Sequence, residues 1–147
     1  MATILLLSGP NLNLLGEREP DQYGTTTLEE LVAIASEAAA ERGHDVEHVQ
    51  SNHEGVLVDV IHGARGRCGA IVFNPGAFSH YAYALTDALA TYDGVKIEVH
   101  LSNPYAREAW RHHSVISAAV DGTITGLRAD GYRLAINAAA MLLEARA

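Results

Sequence analysis

The sequence predicts an α/β fold in which five parallel strands form a doubly wound sheet with helices on both faces. Three observations predict it. Apolar runs of strand length alternate with helix-period stripes along the 147 residues. The runs are continuously apolar, as strands covered on both faces are. Polar segments punctuated by Gly and Pro follow several of them, where an open α/β sheet carries its ligand loops.

Thr3–Leu7 is the first buried run, and it stops at Ser8-Gly9-Pro10. Thr26-x-x-Glu29 and Thr27-x-x-Glu30 both have the capping-box pattern, in which a threonine hydroxyl and a glutamate three residues on satisfy each other's backbone amides. They open a helix with Leu28, Leu31, Val32, Ala35, Ala38 and Ala39 on one stripe, and Gly43 stops it. Val46–Val49 is the second strand, and Leu57, Val60 and Ile61 mark the second helix. Ala70–Phe73 is the third strand, after which Ser79 is positioned to cap a helix carrying Ala84, Leu85, Ala88 and Leu89. Val95–Val99 is the fourth strand, and a weaker one follows near Thr123–Thr125. The last helix is expected from Asp130, striped by Leu134, Ala138, Met141, Leu142 and Ala145. Five strands in a chain of this length suit the flavodoxin-like form of the doubly wound sheet. No repeat, low-complexity tract or linker interrupts the pattern, so one domain over residues 1–147 is expected.

Composition removes several classes of function. Apolar residues make up 48% of the chain and charged residues 19%, which excludes a disordered or coiled-coil protein. A net charge of −8 argues against nucleic acid as the partner, because backbone binding needs a basic face. The apolar runs fall far short of the ~20 residues of a membrane span. No basic stretch precedes a signal-length apolar segment, so a cytoplasmic protein is expected. Cys68 is the sole cysteine, which excludes a disulfide framework and a Cys-based zinc site. Nine of the ten cations are Arg, and the one lysine, Lys96, opens the fourth strand, at the end away from the expected ligand loops. Imine chemistry and phosphate-loop nucleotide hydrolysis, both of which need a positioned lysine, are thereby disfavoured.

Three polar segments gather at the carboxyl ends of the strands. The first runs from Ser8 to Gly24, too long for a simple strand-to-helix turn and therefore a lid candidate. It holds Arg18 and Tyr23. Tyr23 either pins this loop as a half-buried aromatic or serves as a base; a phenol does the latter at neutral pH only where cations stabilise its phenolate. The second segment is Asn74-Pro75-Gly76-Ala77-Phe78-Ser79-His80. The third ends the fourth strand as Glu98-Val99-His100-Leu101-Ser102-Asn103, followed by Arg107 and Arg111. Glu98 and His100 are two apart and share a strand face, as a structural pair or as a carboxylate orienting a histidine. Arg107 and Arg111 are either anion ligands or surface partners of Glu108. Eight histidines raise the question of a metal. There is no His-Glu-x-x-His, and His80, His100, His112 and His113 lack a carboxylate cluster at ligand spacing, so no metal is expected. A receiver-type module would place an acidic pair after the first strand, where this chain has Ser8 and Gly9, and Pro10-Asn11-Leu12 is a poor phosphate loop for FMN.

Taken together, Ser8-Gly9-Pro10-Asn11-Leu12-Asn13-Leu14-Leu15-Gly16-x-Arg18-x-Pro20-x-x-Tyr23-Gly24, Gln50-Ser51-Asn52-His53-Glu54-Gly55, Phe73–His80, Glu98–Asn103, Ala106-Arg107-Glu108 and Arg111-His112-His113-Ser114 resemble the type II 3-dehydroquinate dehydratases. The resemblance runs from about Ile4 to about Leu142. It implies a flavodoxin-like subunit in a homododecamer (a tetramer of trimers), no cofactor, and 3-dehydroquinate as substrate. It also implies anti elimination through an enolate to 3-dehydroshikimate, in the shikimate or quinate pathway, without a Schiff base. Carried over by position, Tyr23 removes the C2 proton with Arg18 keeping it partly ionised, and Asn11 positions a water on the enolate oxygen. His100, oriented by Glu98, protonates the departing C1 hydroxyl. Asn74, His80 and Arg111 hold the ring hydroxyls, and Ser102 with the Leu101–Ser102 backbone holds the carboxylate. Arg107 closes over the substrate with the loop, and Asp87 reaches into the neighbouring subunit's site.

Overall fold

A computed structural model describes residues 1–147. Five parallel strands, β1 (Thr3–Ser8), β2 (Asp45–Gln50), β3 (Ala70–Asn74), β4 (Val95–His100) and β5 (Gly122–Thr125), stand in the order β2-β1-β3-β4-β5. This is the flavodoxin-like order expected from the sequence. Its topological switch point lies between β1 and β3, so the crevice beyond Ser8 and Asn74 is the place for a ligand.

Side-chain alternation along the strands divides the apolar residues between two cores. Ile4, Leu6, Val72, Ile97 and Val99 pack on one face against α2 (Leu28–Ala40) and α5 (Arg128–Arg146). Leu5, Leu7, Ile71 and Phe73 pack on the other against α3 (Glu54–Ala64) and α4 (Tyr83–Ala90). Of the two expected capping boxes, the one at Thr27 forms: its hydroxyl accepts the Glu30 amide and the Glu30 carboxylate accepts the Thr27 amide. Each such cap contributes about 1 kcal/mol. Lys96 Nζ donates to the carbonyls of Leu89 and Tyr92 at the amino end of the sheet.

Two expectations fail. Ser79 does not cap α4. It lies fully buried in a 3₁₀ turn (Gly76–His80), its carbonyl accepts the Val115 amide, and the helix starts after Ala82. The expected stripe of α5 is also rotated. The helix begins at Arg128, and its buried face is Gly131, Tyr132, Ala135, Ile136, Ala139 and Ala140, while Leu134 and Met141 are exposed. Helix α5 packs on both the sheet and α2, and the face these contacts bury combines Gly131 and alanines with the larger Tyr132 and Ile136.

The long first loop contains a 3₁₀ turn (Leu12–Leu14) and a one-turn helix α1 (Pro20–Tyr23). It passes so close to the segment after β3 that a β-carbon on Gly9 would sit 2.5 Å from the Pro75 carbonyl oxygen, so only glycine fits there.

Candidate active site

A cavity of about 140 Å³ opens at the switch point, and residues of all three polar segments line it. Asn11, Arg18 and Tyr23 come from the loop after β1, and Asn74 and His80 from the segment after β3. His100, Leu101, Ser102, Arg107 and Arg111 come from the end of β4 and beyond. Glu98 lies behind His100. Of the expected site residues, Asp87 alone stands elsewhere, exposed on α4.

Tyr23 is buried, its ring packed into the core over α2 and α5. Gly24, at φ +79°, ends α1 directly after it, a left-handed backbone that residues with a β-carbon disfavour. The phenol oxygen accepts hydrogen bonds from Arg18 Nη2 at 3.1 Å and Arg107 Nη1 at 2.9 Å. Both guanidiniums also lie against the ring, 4.3 and 5.0 Å from its centroid. Arg107 therefore does not pair with Glu108; it joins the phenol and Ser102 Oγ, 3.1 Å away. Its Nε is buried without a partner. An oxygen accepting from two cations is electrostatically prepared to carry negative charge.

Across the cavity, His100 Nε2 meets Glu98 Oε2 at 2.5 Å. The Glu98 carboxyl is fully buried. Burial works to raise it, but hydrogen bonds from His100, Ser117 and Ser114, with the charge of His100, prevail and hold it below the usual carboxylate range. Ser117 Oγ stands 2.6 Å from Oε1 and Ser114 Oγ 3.2 Å from Oε2.

The floor and rim are polar. Asn74 donates through Nδ2 to the buried Tyr132 hydroxyl at 2.9 Å and accepts the Gly76 amide on Oδ1. Burial lowers the affinity of His80 for a proton; its Nδ1 lies 2.8 Å from the His113 carbonyl, and its ring edge meets Trp110. Arg111 stacks on Trp110 and pairs with Glu108 at 2.6 Å, the surface pairing the sequence allowed. Asn11 is held at φ +67° with its amide donating to Asn52 Oδ1, an αL geometry that Asn tolerates better than most residues. No three His, Cys, Asp or Glu side chains gather as a metal site. No helix is long and apolar enough to cross a membrane.

The sequence model of the Dehydroquinase class II family matches residues 2–140. The chain belongs to that family. A protein of Aspergillus flavus named catabolic 3-dehydroquinase 2 is 55% identical over 136 residues, 92% of this chain and 91% of its own length. A 3-dehydroquinate dehydratase of Corynebacterium glutamicum is 52% identical over 139 residues, covering 95% of this chain and 96% of its own length. The solved type II dehydroquinase of Propionibacterium acnes superposes with a TM-score of 0.91 at 48% identity, over 96% of this chain and 97% of that one.

In this dehydroquinase the sequence reading passed over Ser117 and Tyr132 and gave Ser114 no role. Ser114 and Ser117 are three apart in the segment after β4, on a turn whose fold has no period to read. Tyr132 was hidden by the rotated stripe of α5.

Proposed function

We infer that this dehydroquinase converts 3-dehydroquinate to 3-dehydroshikimate by anti elimination through an enolate, in the shikimate or quinate pathway. One observation carries the reading: within a single cavity, a phenol oxygen held by two guanidiniums faces an imidazole held by a buried carboxylate. The relatives named for 3-dehydroquinate chemistry supply the substrate.

Tyr23, as its phenolate, takes the C2 proton, and the electron pair moves into the enolate, with Asn11 positioning a water on the enolate oxygen. The enolate then reforms the ketone as the C1–O bond breaks and His100 delivers a proton to the departing hydroxyl. One C–H and one C–O bond are lost, one C=C bond forms, and water leaves. A proton next to a ketone is only weakly acidic, so base, enolate stabilisation and acid are all required. Asn74, His80 and Arg111 hold ring hydroxyls, and Ser102 with the Leu101–Ser102 backbone holds the carboxylate. No lysine lines the cavity, in keeping with a route free of imines. Asp87 completes a neighbouring site in a dodecamer of four trimers, for which its exposure on α4 is suited.

An ultraviolet assay with 3-dehydroquinate, before and after borohydride treatment, tests the reading. Growth of the conjugated enone acid that survives borohydride is expected. Absence of product would remove the substrate, and loss of turnover after borohydride would remove the imine-free route. Light scattering is expected to give a mass near twelve subunits, and a monomer would overturn the assembly.

A further inference from the structure

Glu98 has no contact with solvent, yet its two oxygens are served by three side chains, each supplying a hydrogen. Ser114 is the informative one. Its Oγ accepts the amides of Ile116 and Ser117, both at 3.1 Å. A serine hydroxyl has two acceptor positions and one proton. With the acceptor positions filled, the proton is left for Glu98, 3.2 Å from Oε2 and 3.4 Å from Oε1. Ser117 Oγ, 2.6 Å from Oε1, has Glu98 as its one side-chain partner.

We propose that Ser114 and Ser117 are positioning residues for the acid: their hydroxyl protons hold Glu98 as an acceptor-only carboxylate, which fixes a proton on His100 Nε2 and leaves Nδ1 as the nitrogen that meets the substrate. This rests on the reading of His100 as the acid. In the imidazolium both nitrogens carry protons. Nδ1–H goes to the C1 hydroxyl as the C–O bond breaks, Nε2–H stays on Glu98, and the ring is left neutral. A protonated Glu98 would instead donate to Nε2 and, by charge loss, weaken the hold on the imidazolium. Other charged or titratable groups at this recess are His80 from the segment after β3, and Tyr105, Arg111 and His112 from the segment after β4. The β5 side supplies the neutral Thr123 and Thr125.

Ser117 is the cleaner probe, because Ser114 also shapes the backbone turn. In Ser117→Ala, kcat for 3-dehydroquinate is expected to fall roughly tenfold, the scale of a hydrogen bond to a charged group, with KM nearly unchanged. The acid limb of the kcat–pH profile moves to higher pH, and Ser117→Thr, which keeps the hydroxyl, restores it. A second readout needs no turnover. The hydroxyl favours ionised Glu98, so the stability it adds is present at neutral pH and is lost as Glu98 takes up its proton. The Tm gap between wild type and Ser117→Ala therefore narrows as pH falls below about pH 4, through the carboxylate range. An acid limb superimposable on wild type, or a Tm gap that stays constant over that range, would overturn the proposal. The Tm gap decides it even if 3-dehydroquinate proves not to be the substrate, so the two failures are told apart. If Ser117→Ala does not fold, Ser117→Cys gives the same comparison through a weaker donor, with a smaller shift expected and none overturning it.

Discussion

Tyr23 and His100 reach the same cavity from opposite kinds of structure. Tyr23 stands on a one-turn helix within the long first loop, and His100 ends an inner strand of the sheet. The cations on Tyr23 come from two separate loops and join it by single hydrogen bonds, with the Arg18 and Arg107 side chains only partly covered. The carboxylate behind His100 is buried in the same strand, with two hydroxyls fixed upon it. The difference teaches where each half of the chemistry is prepared. The proposed acid is held by an inner strand and its buried partners, whereas the proposed base is held by contacts between two loops.

The largest effect that would sharpen this contrast is expected from Tyr23→Phe. It removes the base but keeps the ring in the core, so kcat should fall at least about a thousandfold, within the range for general bases, while the thermal melt stays near wild type. Retention of a tenth of the rate would break the contrast at its base end. His100→Ala should cost about a hundredfold or more, and Glu98→Gln should in addition lower Tm, because the fold is built around a charged acceptor. Arg18→Ala should cost roughly ten- to a hundredfold in kcat, with Tm barely changed. A kcat equal to that of wild type would remove its role beside Tyr23. Tyr132→Phe leaves Asn74 one partner short, so KM should rise a few-fold and stability fall by about 1 kcal/mol, read from denaturant unfolding.

The smallest expected effect concerns acidity. Both Glu98 and His80 bind protons less readily folded than unfolded. Stability should therefore be full at neutral pH and decline as pH falls, first below the ordinary histidine range and then below the carboxylate range. Tm measured across that interval checks the sign, and a Tm that rises on acidification would contradict it.

Most of this fold was legible because buried strands are short continuous apolar runs and the Thr27–Glu30 box marks a helix start. The failures share a cause: tertiary packing overrode a local pattern. Ser79 had the chemistry of a cap, but a long-range bond from the Val115 amide to its carbonyl took it into a different turn. In α5, Tyr132, Ile136 and several alanines hold the buried face between the sheet and α2 while Leu134 and Met141 stay outside, so packing rather than apolar spacing set the stripe. Ten of the candidate site residues line the cavity because three polar segments end neighbouring strands, which order in sequence reveals. The partners that orient them were not legible in the same way. Ser117 and Tyr132 belong to elements that meet the site through the interior, and contact across the interior leaves no spacing signal.

The most direct test follows solvent deuterium into C2 of 3-dehydroquinate by NMR, for His100→Ala and Tyr23→Phe beside wild type. With base and acid on separate supports, His100→Ala should still exchange the C2 hydrogen while forming little product, and Tyr23→Phe should do neither above the enzyme-free background. Exchange at the wild-type rate in Tyr23→Phe would contradict Tyr23 as the base and with it the division of the site into a loop-borne base and a strand-borne acid.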